Sequence, residues 1–238
     1  MSPEQKIDKL IHWIRKTTPK EHGLLVPISG GSDSALMFWL CNKALPKKTL
    51  GVFARSAAAS DGRAGKHIRA EEWFASVGKI KKIKPPEASE NIEVMRWAKF
   101  LEMNLKEKRV LVGTRNRTED SLGTYSLASR AAAFFPIVGL WKSEVVELCE
   151  YIGVPEEVIL SSRRADPVCG RPQKLADIPI ALLDAFLQVK TGELKKTALR
   201  PLTRTQLSYL ERLYAQNEFK KTLPVKGPWF GVEKSAKS

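Results

Sequence analysis

The sequence has no apolar run long enough to cross a bilayer. Its longest runs, Gly23–Ile28 and Ala131–Leu140, fall well short of the roughly 20 residues that a membrane-spanning helix needs. The first twenty residues are charged and amphipathic and lack a signal-type apolar stretch. Cysteine is scarce and scattered: Cys41, Cys149 and Cys169 form no CxxC pair, which argues against a zinc site or a disulfide framework and suits a reducing cytoplasm. There is no internal repeat, low-complexity linker, long basic tail or arginine-aromatic run. A GxxxxGK[ST] phosphate loop is also missing, which disfavours kinase or GTPase chemistry at a γ-phosphate.

The 238 residues, 43% of them hydrophobic, suffice for one α/β domain with a single core. The expected unit spans residues 1–228, with 229–238 as a flexible tail. Net charge is +14, spread along the chain. Solvated surface charge, the handling of phosphate ligands and a nucleic-acid partner are all compatible with it.

Apolar periodicity predicts a helix over Pro3–Lys16, with Ser2 and Gln5 as a capping box and Pro3 at the first helical position. Leu24–Ile28 reads as a buried strand, Ser29–Ser34 as a glycine-rich turn and Ala35–Ala44 as a helix. The alternation continues with a strand at Thr49–Ala54, a helix at Asp61–Val77 and a strand at Lys79–Lys84. Glu87–Lys106 then reads as helix and Arg109–Gly113 as strand. Such alternation predicts a Rossmann-like α/β fold: a parallel sheet flanked by helices, with ligands at the carboxyl ends of the strands. The second half is more helical, with helices expected at Lys142–Ile152 (closed by Gly153), Pro179–Leu187 and Thr203–Gln216 and a loop at Ser161–Lys174.

The turn Ser29-Gly30-Gly31-Ser32-Asp33-Ser34 is the sharpest chemical feature. Two glycines let the backbone turn tightly and approach a ligand. The amides of Gly31–Ser34, at the start of a helix, form an anion site. Ser29 and Ser34 offer hydroxyl donors. Asp33 repels phosphate unless it holds Mg²⁺, which then bridges the phosphates. Farther on, Thr114 closes a strand and offers a hydroxyl to a nucleotide, and Glu119 offers a second carboxylate for the metal. On the same evidence Thr114 and Asn116 also fit as simple helix caps. Lys142, at a helix start, is a cation in a place the dipole disfavours unless an anion lies nearby. It therefore fits phosphate or departing pyrophosphate.

Ser29–Ser34 resembles the pyrophosphate-binding loop of the PP-loop, or N-type ATP pyrophosphatase, superfamily. Val110-Leu-Val-Gly-Thr-Arg-Asn-Arg-Thr-Glu119 is similar to the VVGTxNxSE stretch of NAD synthases. Pro136-Ile-Val-Gly-Leu-Trp-Lys142, running on to Gly153-Val-Pro-Glu156, is similar to that family's P-x-x-x-L-x-K…GVPEE segment. Weaker likenesses lie at Arg55, Asn91, Met95-Arg96, Arg164-Ala165-Asp166, Asp177-Ile178-Pro179, Leu183-Asp184 and Phe219-Lys220-Lys221 with Pro224, so the resemblance covers residues 5–228.

The resemblance implies an ATP-dependent, amide-forming ligase that adenylates the nicotinate carboxylate of deamido-NAD and aminates it with ammonia, giving NAD, AMP and pyrophosphate. It implies Ser29, Gly30, Gly31, Ser32, Asp33, Ser34, Arg55, Thr114 and Lys142 at ATP, Asp33 and Glu119 on Mg²⁺, and Asp33 and Lys142 as catalytic groups. Arg96, Tyr125, Arg130, Lys220 and Lys221 are the acceptor-side candidates, with salt-bridged or surface roles as the alternative for Arg55, Arg96 and Lys221. A homodimer is implied. No glutaminase domain is expected, so the nitrogen comes as free ammonia or from a separate donor.

The acceptor side departs from the family pattern. Its usual lysine is Leu127, its acids are near Ser129 or Arg130 and at Ala133 or Phe134, the residue before Ala165-Asp166 is Arg164, and the terminal histidine is Phe219. Two rivals follow: a PP-loop enzyme adenylating another acceptor such as tRNA, and a nucleotide-binding relative without synthase activity.

Overall fold

The computed structural model describes residues 1–54, 64–84, 91–161 and 172–224. Four strands form a parallel sheet: β1 (Gly23–Ile28), β2 (Thr49–Ala54), β3 (Ile80–Ile83) and β4 (Arg109–Leu111), in the order β3-β2-β1-β4. Register is set by pairs such as Leu25↔Leu50 and Leu25↔Leu111. The chain winds from β1 outward to β3 and then returns to the other side of β1. Strand order therefore reverses between β1 and β4, the place where open α/β sheets bind ligands.

Alternate strand residues feed two cores, as the two-residue pleat period requires. Leu24, Val26 and Ile28 pack with α1 (Pro3–Thr17), α2 (Ser32–Ala44), α6 (Lys142–Tyr151) and α7 (Glu156–Ser161) through Ile14, Phe38, Leu40, Val145, Leu148 and Val158. Phe74 of α3 (Ala64–Val77) joins this cluster. Leu25, Leu50 and Val52 face the other way, onto Phe100 and Met103 of α4 (Ile92–Lys106). Gly51 allows the close packing of α2 on the sheet, because a Cβ there would lie 2.8 Å from the Phe38 ring.

The remaining helices are α5 (Arg117–Leu122), α8 (Gln173–Ala176), α9 (Ile180–Lys190), α10 (Arg204–Gln216) and α11 (Glu218–Lys221), with 3₁₀ turns at Leu127–Ala131 and Lys196–Leu199. Leu122, Trp141, Ile178, Leu183, Phe186, Leu187 and Leu210 form their shared core.

The α/β reading and most elements agree with the sequence. The Ser2–Gln5 capping box is present, at 3.3 and 3.0 Å. Gly153, at φ +73°, follows α6. Several boundaries need correction, among them the end of α9, which runs on to Lys190 rather than Leu187. Helix α2 begins at Ser32 rather than Ala35, because Gly31 is its extended N-cap and the Ser-Asp-Ser run fills its first turn. Helix α4 begins at Ile92, where the Asn91 side chain caps the Val94 amide; residues 87–90 of the expected helix lie outside the described residues. Strand β4 ends at Leu111, and only Val112 extends it through a parallel bridge to Phe134. Gln173 and Lys174, expected in a loop, begin α8; residues 162–171 of that loop, Arg164 among them, lie outside the described residues, as does the tail.

Candidate active site at the switch point

The turn after β1 is built by its own serines. Gly30 takes φ +86°, a left-handed conformation that side chains with a Cβ resist. The buried Ser34 hydroxyl donates to the Gly31 carbonyl at 2.9 Å and accepts the Ser29 amide at 3.3 Å. Ser29 Oγ accepts from the Gly31 amide at 3.3 Å and lies 3.2 Å from Ser34 Oγ. Ser34, expected to donate to phosphate, instead commits its proton to shaping the turn. Ser29 is exposed at the carboxyl end of β1. The α2 N-cap, Gly31, has no side chain with which to bond the first helical amides.

Two segments distant in sequence converge on Asp33. Lys142, only 8% exposed, places its Nζ on Asp33 Oδ2 and 2.8 Å from Ser32 Oγ. Asn116 Nδ2 donates to Asp33 Oδ1 at 2.8 Å, while Asn116 Oδ1 caps α5 by accepting from the Glu119 amide at 2.9 Å. Asn116 is thus the cap that one sequence reading allowed, and it also ties the β4 segment to the β1 turn. Glu119 keeps an open face but is crowded by protein. Burial, followed by the negative charge of Asp33, raises its carboxyl to about 7, against the pull of Lys142, the Asn116 backbone and Arg115. Thr114, half-buried, lies between Gly113 and these groups along the chain. Cys149 supports the turn from below, 3.4 Å from the Ser32 carbonyl, and burial together with Asp33 pushes its thiol up to about 12.

The donor set fits magnesium. Two carboxylates interact strongly enough for one to raise the other, and Mg²⁺ takes one or two carboxylates together with substrate phosphates. Among the described residues no third acid, His or Cys completes an all-protein cage.

The start of α6 is held by side chains. The Glu144 carboxylate accepts the Trp141 amide at 2.9 Å, Thr118 Oγ1 accepts the Lys142 amide at 2.8 Å, and Asp184 Oδ2 accepts the Ser143 amide at 2.8 Å. Thr118 Oγ1 in turn donates to Asp184 Oδ1 at 2.5 Å. The Arg117 guanidinium sits 4.1 Å above the Trp141 ring and pairs with Glu193.

Three of the acceptor-side candidates, Tyr125, Arg130 and Lys220, are tied to one another. Tyr125 Oη donates to the Lys220 carbonyl at 2.7 Å, and Arg130 donates to the same carbonyl at 3.0 Å. Lys220 Nζ donates to the carbonyls of Gly123 and Tyr125, both at 3.1 Å. Lys221 lies over the Tyr214 ring and pairs with Glu218. Tyr125, Arg130 and Lys220 tie α11 to the segment after α5, whereas Lys221 ties it to α10. Arg96 is half-buried and its Nε has no hydrogen-bond partner. Arg55 lies outside the described residues. Sequence reading passed over Arg115, whose guanidinium lies 3.4 Å from the Tyr125 centroid and 4.7 Å from that of Phe135, bonded to Asp120 at 2.9 Å. It also passed over Thr118 and had only a weak likeness at Asp184. One signal was available for the latter: a lone carboxylate in the apolar run Ile180–Leu187.

The family model for NAD synthase matches residues 6–224. The NH(3)-dependent NAD(+) synthetase of Carboxydothermus hydrogenoformans is 28% identical over 242 residues, covering 93% of this chain and 96% of that protein. The synthetase of the same name from Pyrococcus horikoshii is 30% identical, covering 95% of each. Among solved structures, the NH3-dependent NAD synthetase of Campylobacter jejuni superposes with a TM-score of 0.75 at 21% identity, over 96% of this chain and 100% of that one.

Proposed function

This chain belongs to the NAD synthase family, and on that footing we propose that it adenylates the nicotinate carboxylate of deamido-NAD with ATP and aminates it with ammonia. It is an ammonia-dependent ligase of carbon–nitrogen bond formation. One observation carries the site assignment: Ser32 and Asp33 after β1, Asn116 and Glu119 after β4, and Lys142 at the start of α6 meet at the switch point of the sheet.

The ATP phosphates lie on the turn Ser29–Ser34, where the amides at the α2 N-terminus and the helix dipole favour negative charge. Asp33 and Glu119 would hold Mg²⁺, whose bound charge offsets that of the triphosphate. The acceptor carboxylate oxygen attacks the α-phosphorus, a P–O bond forms and the bond to the β-phosphate breaks. Lys142 meets the charge that develops on the leaving pyrophosphate. Ammonia then adds to the activated carbonyl, loses a proton and expels AMP. No side chain forms a covalent intermediate. Orientation and charge stabilisation carry both steps.

A homodimer and a cytoplasmic setting belong to the same proposal. No helix among the described residues is long and apolar enough to cross a membrane.

The test is pyrophosphate release with ATP, Mg²⁺, ammonium and deamido-NAD, with NAD followed by mass spectrometry. NAD formation that needs all four supports the assignment. Pyrophosphate release that ignores deamido-NAD but responds to another acceptor, such as tRNA, overturns the choice of acceptor.

A further inference from the structure

Lys142 occupies an electrostatically awkward place. It is the first residue of α6, where the helix dipole repels a cation. Asp33 offsets that at Nζ, but Asp33 belongs to the opposite wall of the site and does not determine where the lysine backbone sits. That position is set from behind. Asp184, on α9 and 2% exposed, spends one oxygen on the Ser143 amide at 2.8 Å and the other on the Thr118 hydroxyl at 2.5 Å. Thr118, on α5 and also buried, passes the connection to the Lys142 amide at 2.8 Å.

One carboxylate thus bonds three helices at the point from which the lysine projects. It also places negative charge against the N-terminus of α6, which is where such charge is favourable. A bond between a hydroxyl and a carboxylate is stronger than a neutral one, and removing one partner leaves a buried group unsatisfied.

We infer that Asp184 and Thr118 are positioning residues for the adenylation step: they hold the Lys142 backbone so that its ammonium reaches the leaving pyrophosphate. This rests on the role of Lys142 proposed above. Neither residue touches substrate. Their effect runs through one backbone amide and one helix end.

The isosteric Thr118→Val removes both hydrogen bonds and leaves volume nearly unchanged. Thr118→Ser keeps the hydroxyl. Positioning predicts a drop in kcat for pyrophosphate release of about 10- to 100-fold in Thr118→Val, the scale on which a displacement of about 1 Å acts. The KM for ATP should stay within about threefold, since the amides of the 29–34 turn are untouched, and Thr118→Ser should recover most of the rate. Asp184→Asn should fall between the two, since it retains an acceptor for one bond and turns a donor towards the other. A loss shared equally by Thr118→Ser, or one seen only in KM, overturns the inference. Crystal structures of both variants give a readout that needs no turnover: Lys142 Nζ should leave Asp33 in Thr118→Val and keep it in Thr118→Ser. An unmoved lysine in Thr118→Val overturns the inference even if the assay acceptor is wrong. A displaced lysine with no activity in the wild-type chain faults only the proposed reaction.

Discussion

Two helix N-termini, those of α2 and α6, lie at the site, and they are finished in opposite ways. At α2 the cap is a glycine that makes no side-chain cap bond, and the neighbouring serines fold the turn. At α6 the amides of Trp141, Lys142 and Ser143 are taken by Glu144, Thr118 and Asp184. A helix end whose cap has no side chain keeps an anion site for a ligand. A helix end saturated by protein groups has no such site, and becomes a rigid mount for the side chain it carries. In the proposed mechanism, the difference separates the part that binds phosphate from the part that aims a cation at it.

The comparison breaks most severely if the charges between the two ends are removed. Asp33→Ala should lower turnover by at least about 10²- to 10³-fold, the usual scale for losing one preorganised electrostatic group. It also leaves Lys142 without its carboxylate. Steady-state pyrophosphate release measures this, and unchanged turnover would refute the role given to Asp33.

Capping α2 as α6 is capped sharpens the comparison. Gly31→Ser places a hydroxyl at the N-cap, where backbone angles of −95° and 168° suit any residue. Stability should rise by a few tenths of a kcal/mol. The KM for ATP should rise about tenfold, as the hydroxyl competes for an amide whose bond to a charged group is worth about 1.5–3 kcal/mol. Opposite signs in thermal melting and in KM are the expected signature.

Glu119 reports the cost of gathering acids at the open end. Its carboxyl is raised from an ordinary 4.5 to about 7. Between those values the folded chain keeps a proton that the unfolded chain has released, so stability falls as pH rises through that window and levels off above it. Glu119→Gln lacks this fall. Its advantage in Tm over the wild type should therefore be larger at pH 8 than at pH 5 in metal-free buffer, and an advantage independent of pH would contradict the assignment.

The smallest effect is expected at the rim of the closed end. Arg117→Ala loses the stack on Trp141 and a partly exposed ion pair, together about 1 kcal/mol. Calorimetry should show Tm lower by about 2–4 °C.

Much of this was legible in the chain itself. The strand–turn–helix of residues 24–44 announces a phosphate site because its cues are contiguous: apolar run, paired glycines, hydroxyls, carboxylate. The boundary of α2 was misplaced by three residues, since Ser32, Asp33 and Ser34 serve equally well in a turn and in a first helical turn. The basic and aromatic residues at 125, 130, 220 and 221 match a ligand site in type, yet Tyr125, Arg130 and Lys220 bond to backbone carbonyls of their own cluster and Lys221 to Tyr214 and Glu218. Residue type alone does not distinguish a cation that meets a ligand from one that ties a helix down.

The sequence by itself determined the parallel α/β architecture, and it marked the turn, the acids and the lysine to which the proposed mechanism assigns phosphate, because period, glycine placement and charge are local properties. Only the tertiary structure decided that residues 33, 116 and 142 meet, and that Asp184 stands behind Lys142. Those contacts join elements from opposite ends of the chain, and they arise from how α5, α6 and α9 pack around the reversal of strand order rather than from any spacing along it.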